Sequence, residues 1–458
     1  MEVDQKSPLL RLPNELLLQI FSYVGGAHWR NVRRVCRRIR AVALPIMHRD
    51  KVAATLIDQL NRPSVIDRFE RNPEFVRYVK SLTVHYHMGL TDCLPKCYDI
   101  IRDPPYVEDL SPLIAQMEQL QSLAIKGNSH EVCYGAELAK LDQEHRAHCT
   151  KSKWMGACTK FQDLFIKSAS SPILTNLQTC VLNFFDVDEF WDLSLRDATF
   201  LHPHLKRLSI SGAKSGTFRY LDECYRHSTV LEELTLRGCD ISPDSLRGIL
   251  TIPKALKRLT FNGRIPGRRA YSDAPRQSYI DSIQEQARSL VALDLCLPLD
   301  VLYPFLREHA PNTPVDFHAF RSLQELTTVT QVIEGNPVLR PHPPATNPFP
   351  ASLKTLRLRY LSRHRDSEWE SPYRSAIRGW AATGALPSLT SVVFINHPTD
   401  NDCGVPEAWQ IDSPSRIITF EREPYKCPAP LPQLPAGEKC SCCDSNREIA
   451  LLPALHYL

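Results

Sequence analysis

The sequence predicts an α/β protein in which short N-terminal helices precede a long array of alternating strands and helices. Three observations lead to this fold class. Apolar residues recur at helical spacing between residues 9 and 44. A six-residue motif, apolar-x-x-apolar-x-apolar, then returns ten times between residues 79 and 394. Several of these motifs are separated by stretches with helical spacing, so a strand and a helix form one repeating unit.

Two short amphipathic helices are predicted at the N-terminus. Pro13 suits the first helical position, because its φ is already fixed and it needs no N–H partner there. The first helix has an apolar stripe formed by Leu16, Leu17, Ile20, Phe21 and Val24. The second has Val32, Val35, Cys36, Ile39 and Val42 on one side, with six arginines between residues 30 and 40 opposite. Two short helices cannot bury all this apolar surface against each other, so they need a partner.

The order of these residues resembles the F-box. The segment LPNELLLQIF, starting at Leu12, is similar to the family's Leu-Pro-x-Glu-(Leu/Ile)-Leu-x-x-Ile-Phe opening. Val35 and Cys36 match a Val-Cys pair in the second half of the family pattern, whereas Ile39 stands where an aromatic residue is usual. Residues 7–50 are therefore assigned to an F-box.

F-box proteins dock on a Skp-family adaptor, which links them to a cullin-based ubiquitin ligase. The resemblance implies these two partners, and it implies no catalytic residue, cofactor or metal in this chain. The implied adaptor-binding residues are Leu12, Pro13, Leu16, Leu17, Ile20, Val35 and Cys36. The alternative is an ordinary helical hairpin that packs on the chain's own core.

Residues 51–78 are predicted to be a helical linker, because LPIMHRDKVAATLIDQL has helical spacing. The segment that starts at Asn72 and Pro73 is similar in residue order to the junction after the F-box in many fungal relatives. The first strand of the repeat array is expected directly after this segment.

The repeat array is predicted to span residues 79–420. The motifs start at residues 79, 120, 177, 205, 231, 256, 290, 323, 353 and 389. A strand and a helix at intervals of 25 to 36 residues resemble a leucine-rich-repeat solenoid, or horseshoe. Cys239 and Asn128 stand where that family prefers Asn or Cys. The intervals are irregular and mostly longer than usual, so loops are inserted; the alternative is a non-solenoid α/β fold.

Two cysteine-containing regions are weighed as zinc sites. Four cysteines lie in the Pro- and Cys-rich tail, residues 421–458. A second cluster, in an insertion at 126–176, consists of His145, His148, Cys149 and Cys158. Neither region has two ligand pairs at the spacing that chelates zinc. The sequence also lacks the GxGxxG, GxxxxGK(S/T) and HExxH motifs. No metal site, cofactor or enzymatic activity is predicted.

Composition excludes several other classes of protein. The net charge of +4 gives no support for nucleic-acid binding, and no apolar run is long enough to span a membrane. The N-terminus has no secretory signal pattern. Fifteen scattered cysteines suit a reducing compartment, so an intracellular location in cytoplasm, nucleus or both is expected.

The sequence therefore predicts a substrate-recognition subunit of an SCF-type (Skp–cullin–F-box) ubiquitin ligase, which binds an unidentified target protein through its repeats. A second hypothesis is a non-catalytic leucine-rich-repeat scaffold whose N-terminal helices only cap the solenoid. A third, an enzyme with its site in the 126–176 insertion, depends only on His145, His148 and Cys149.

Overall fold

A computed structural model describes nineteen stretches of the chain. They are residues 8–24, 31–32, 35–49, 52–55, 69, 73–86, 111–127, 164–165, 173–183, 191–192, 198–215, 225–263, 276–297, 315–334, 344, 346–359, 370–396, 409–413 and 416–424. The chain forms two compact units. The first holds residues 1–128, 142–191 and 196–210, and the second holds 129–141, 192–195 and 211–458.

The N-terminal helices begin the first unit. They are α1 (Pro8–Arg11), α2 (Asn14–Ser22) and α3 (Arg37–Arg49). Pro13 is the N-cap of α2 with an extended ψ of 153°, one residue earlier than predicted, and its carbonyl accepts from the Leu17 amide at 3.1 Å. The sequence predicts that Gly25-Gly26 ends the first helix, and these two residues lie outside the described residues.

These helices have a small core of their own. Its buried members are Leu17, Phe21, Ile39, Val42 and Ala43. Leu10, Leu12, Val24, Val32 and Cys36 are partly buried and pack against it. α3 also contacts a 3₁₀ turn at Pro73–Tyr78. The hairpin is therefore held together by its own side chains and is attached to the first unit through α3.

Truncating Leu17 should loosen this hairpin. Leu17 is fully buried, and a Leu→Ala change at such a position costs about 2–5 kcal/mol through lost burial and the cavity left behind. We expect faster amide exchange in α2 and α3 of Leu17→Ala. Leu18→Ala is the matched control, because Leu18 is exposed. Equal protection of α2 in both variants would show that Leu17 is not a core residue.

The first unit continues with a sheet whose strands follow one another in chain order. They are β1 (Val52–Thr55), β2 (Ser81–Tyr86), β3 (Ser122–Gly127), β4 (Thr179–Asn183) and β6 (Arg207–Ser211). β1 to β4 pair in parallel. The unit also has a short helix α4 (Ser111–Ile114) and a 3₁₀ turn (Ala198–Leu201). The two-residue strand β5 (Trp191–Asp192) has one residue in each unit.

β1 lies inside the segment predicted to be a helical linker. Ala53 and Ala54 favour a helix locally, and the spacing around them is helical. In the structure this stretch instead pairs with β2 in a parallel register that joins Val52 to Leu82. Strand pairing thus overrides the local helical preference, which the sequence alone could not reveal.

The second unit is a longer series of strands and helices. Its strands are β7 (Ala213–Ser215), β8 (Glu233–Ile241), β9 (Arg258–Gly263), β10 (Ala292–Cys296), β11 (Glu325–Val329), β12 (Thr355–Arg359), β13 (Ser391–Asn396), β14 (Trp409–Ser413) and β15 (Arg416–Pro424). Its helices are α5 (Pro243–Thr251), α6 (Arg276–Ile283, followed by a 3₁₀ turn at Gln284–Gln286), α7 (Thr330–Glu334) and α8 (Glu370–Ala382). Strands β8 to β13 pair in parallel in chain order, β15 follows β13, and β14 is antiparallel to β15.

Every one of the ten sequence motifs forms a strand, which starts two residues after the motif begins. The first, fourth and sixth positions of the motifs are buried, and the fourth positions align across neighbouring strands, as in Leu234, Leu259 and Leu293. Thr328 is the exception to the apolar pattern, because it occupies a sixth position with a buried hydroxyl. The predicted sheet-rich α/β region with parallel strands is confirmed.

The helix predicted between the motifs at 231 and 256 is also present as α5. Ser242 is its N-cap, and the Ser242 hydroxyl accepts from the Ser245 amide at 3.2 Å. Pro243 follows at the start of the helix, and Leu246 and Ile249 are buried. Local capping and an apolar face together set this helix.

A buried histidine makes the first unit sensitive to acid. His202 Nε2 donates to the Leu174 carbonyl at 3.1 Å, and Nδ1 accepts from the His204 amide at 3.4 Å. This arrangement needs a neutral ring, and burial lowers the pKa of His202 to about 4. Leu174 has a positive φ of 57°, so the hydrogen bond from His202 stabilises a strained backbone position.

The protein should therefore lose stability as the pH is lowered from about 6.5 to about 4. The unfolded histidine binds a proton below about pH 6.5, whereas the folded one does so only near pH 4, so acid favours unfolding between these values. Between pH 7 and pH 5 this group should cost about 2 kcal/mol. Urea unfolding of wild type and His202→Gln at both pH values checks this. A difference between the two proteins that does not change with pH would contradict it.

Candidate protein-docking surface

Helix α2 has two adjacent apolar stripes. Leu17 and Phe21 lie on the buried stripe. Leu16, Ile20 and Tyr23, one helical turn apart from each other, remain 45%, 42% and 83% exposed. Tyr23 directly follows α2 in helical conformation, and its amide donates to the Ile20 carbonyl at 3.2 Å. An exposed line of large apolar side chains thus runs the length of the helix.

One further apolar side chain of the second half of the hairpin is accessible. Val35, two residues before α3, is 60% exposed. We call Leu16, Ile20, Tyr23 and Val35 the exposed apolar set. Several large apolar side chains exposed on one small hairpin are typical of a protein-interaction site. They are not typical of the ordinary surface of a monomeric protein.

The structure divides the seven predicted adaptor-binding residues into two groups. Pro13, Leu16, Ile20 and Val35 are exposed. Leu17 is fully buried, and Leu12 and Cys36 are partly buried against the hairpin core. Adjacent residues on a helix point about 100° apart, so Leu16 and Leu17 cannot serve the same surface. Leu17 holds the helices together, and Tyr23, which the prediction omitted, belongs to the exposed side.

Cys36 has a structural task at the start of α3. Its sulfur accepts from the Ile39 amide at 3.4 Å, and its carbonyl accepts from the Arg40 amide at 2.9 Å. Cys36 is thus the N-cap of the helix, a position usually filled by Ser, Thr, Asp or Asn. The Val-Cys pair thereby sets where α3 begins.

Arg38, one of the six arginines predicted to lie opposite the apolar side, makes hydrogen bonds within the hairpin. Its guanidinium donates to the Leu10 and Leu12 carbonyls, the latter at 2.7 Å, and to Asn14 Oδ1 at 3.1 Å. The side chain joins the start of α3 to the link between α1 and α2. Nothing in the sequence distinguishes it from the neighbouring arginines.

The buried cysteines of the repeats are packing residues. Burial raises the pKa of the Cys239 thiol to about 12, and Cys239 Sγ donates to the Arg237 carbonyl at 3.3 Å. Among the residues that the structure describes, no three His, Cys, Asp or Glu side chains gather where they could hold a metal ion. His145, His148, Cys149 and the tail cysteines lie outside the described residues.

No helix in the described part of the chain is long and apolar enough to cross a membrane. Fold and surface together define a class: a small helical docking domain followed by an α/β region with parallel strands.

Comparison with protein families gives this docking domain a family. Residues 9–49 match the F-box-like family model, a range that covers α2, α3 and the exposed apolar set. The F-box resemblance of the N-terminal helices is thereby confirmed. An F-box-like domain indicates a general role in linking proteins to a ubiquitin ligase, and such domains generally bind Skp-type adaptors. A search of curated proteins returns no match.

Proposed function

We propose that this chain is the substrate-recognition subunit of an SCF-type ubiquitin ligase. One observation carries the proposal: the F-box-like hairpin has its own core and still leaves the exposed apolar set in solvent. A Skp-family adaptor would cover this set, and a cullin would join through the adaptor. Four of the predicted contacts are accessible in the structure, namely Pro13, Leu16, Ile20 and Val35, and Tyr23 is added to them.

The exposed apolar set can contribute favourable free energy to a complex. Full burial of one large apolar side chain is worth about 1.5–3 kcal/mol. The four side chains of the exposed apolar set are each at least 42% exposed in the free chain, so docking has apolar area to remove from water. A few such anchors commonly dominate an interface, and each 1.4 kcal/mol changes the dissociation constant about tenfold.

We further propose that the strands from residue 79 onward are an irregular leucine-rich-repeat solenoid that binds the target. The parallel register in chain order supports this, because each strand buries its leucines beside those of its neighbours. On β8 and β9 the outward positions Thr235, Arg237 and Thr260 remain accessible. We propose that the target surface of the second unit lies on β8 and β9.

On β10, β11 and β13 some of the outward positions are closed. Cys296, Val329, Val393 and Ile395 are buried although they alternate with the inward leucine positions. Arg359 and Asp294 form a half-buried, bidentate ion pair on the same side. Arg359 Nη1 lies 2.9 Å from Asp294 Oδ1, and Nη2 lies 3.1 Å from Oδ2. The outward side of β10, β11 and β13 is thus partly covered by buried apolar side chains.

The chain would position the target protein and would not itself catalyse ubiquitin transfer. Ubiquitin transfer would take place on another subunit, and simultaneous docking of adaptor and target would raise the effective concentration of the target beside it.

The alternative function is a non-catalytic repeat scaffold in which the hairpin caps the solenoid. Contact between α3 and the Pro73–Tyr78 turn favours it, because a cap must pack on the first repeat. The exposed apolar set favours the ligase role, since the outer face of a cap should be polar.

Affinity purification of the full chain from its own cells distinguishes the two functions. The ligase role predicts that a Skp-family adaptor and a cullin co-purify in amounts comparable to the chain. A scaffold would be recovered with neither protein, while its own binding partners remain.

A further inference from the structure

The accessible charge of the F-box-like hairpin is strongly one-sided. The charged side chains described on α1, α2 and the first part of α3 are Arg11, Arg37, Arg38, Arg40 and Glu15. All five side chains are exposed, so this surface carries four positive charges and one negative charge. The whole chain is nearly balanced, with 55 basic and 51 acidic residues. The positive surface of the hairpin is therefore a local feature.

Three of these arginines have no carboxylate partner among the residues that the structure describes. Arg38 donates to backbone carbonyls of the α1–α2 link. In the described part of the chain, Arg11, Arg37 and Arg40 form no ion pair with a carboxylate. Arg37 and Arg40 are three residues apart and share one side of α3, close in sequence to exposed Val35.

The position of these arginines works against the helix that carries them. Arg37 and Arg40 lie in the first turns of α3, and its first turn contains no acidic residue. The N-terminus of a helix carries partial positive charge, so cations there are unfavourable. Folding therefore does not explain this placement. An acidic partner would offset both the arginines and the helix dipole.

We infer that the protein docked on the exposed apolar set presents an apolar groove with carboxylates along the rim beside α1 and the start of α3. This inference rests on the proposed function, because it names the adaptor as that protein. The apolar set anchors the complex, and the arginines attract the adaptor before contact. Attraction of this kind raises the association rate and is weakened by salt.

The test is stopped-flow association of the full chain with a purified Skp-family adaptor. The Debye length shortens from about 20 Å to about 6 Å between roughly 20 mM and 300 mM salt. Over this range we expect the wild-type association rate to fall at least about tenfold, while the dissociation rate changes less than about threefold. Arg37→Glu with Arg40→Glu should bring the low-salt rate close to the high-salt one.

Two control variants make the result specific. Arg37→Lys with Arg40→Lys should keep the wild-type rate, because steering depends on charge and not on guanidinium geometry. Arg321→Glu reverses the charge of one exposed arginine in the second unit, and it should leave the association rate unchanged. If the wild-type chain binds the adaptor but its association rate ignores both salt and charge reversal, the acidic rim is wrong and the ligase role stands. If the wild-type chain does not bind the adaptor at either salt concentration, both are wrong.

Discussion

We expect the double variant Leu16→Asp, Ile20→Asp to lose adaptor binding and to remain folded. Both side chains are exposed in the free chain, so the new carboxylates remain in water and the hairpin core is untouched. In the complex the same carboxylates would be buried without partners, at a cost of several kcal/mol. A loss of about 4 kcal/mol weakens binding roughly a thousandfold.

Leu18→Asp is the matched control for this double variant. Leu18 is exposed on the same helix but points about 200° away from Leu16. It should keep the adaptor, which shows that a carboxylate on α2 is harmless outside the exposed apolar set. Calorimetric titration of each purified variant with the adaptor measures the effect, and circular dichroism verifies the fold. Adaptor binding by the double variant at wild-type affinity would remove α2 from the interface.

The second large effect is expected from Leu234→Asp in the best copy of the repeat motif. Leu234 is almost fully buried and pairs with Leu259 across β8 and β9. A carboxylate there has no polar partner, so the change should cost about 4–5 kcal/mol or more. That is comparable with the whole free energy of unfolding of an ordinary domain, about 5–15 kcal/mol.

Thr235→Asp is the control for this change, because Thr235 is the next residue of the same strand and faces away from the leucines with partial exposure. It should alter the free energy of unfolding by less than about 1 kcal/mol. Soluble yield and thermal unfolding of the two variants provide the comparison. A soluble Leu234→Asp protein with the wild-type midpoint would show that this motif is not a core strand.

The strands of the repeat region could be predicted because their signal is local. An apolar residue at the first, fourth and sixth positions of each motif is what a strand with one buried face requires, and Leu256, Leu259 and Phe261 are all buried as the pattern indicates. β1 was missed for the opposite reason. Its alanines favour a helix, and only pairing with β2 makes the stretch a strand.

The candidate site could be located from the sequence but not resolved into roles. Leu16 and Leu17 are equal in type and adjacent, and only the packing of α2 on α3 shows that one is exposed and the other buried. Tyr23 was not selected, although its spacing of three from Ile20 was the available signal. The bonds of Arg38 to the α1–α2 link depend on how the helices meet, which no local pattern encodes.

The most direct test of the ligase role is titration of the purified wild-type chain with a purified Skp-family adaptor, followed by hydrogen exchange of the complex. We predict one adaptor per chain, with submicromolar affinity and new amide protection confined to residues 9–49 and their immediate contacts. No binding at about 50 μM of either protein, a concentration at which even weak interfaces are occupied, would contradict the account. So would protection that appears in the repeat region while α2 and α3 exchange as in the free chain.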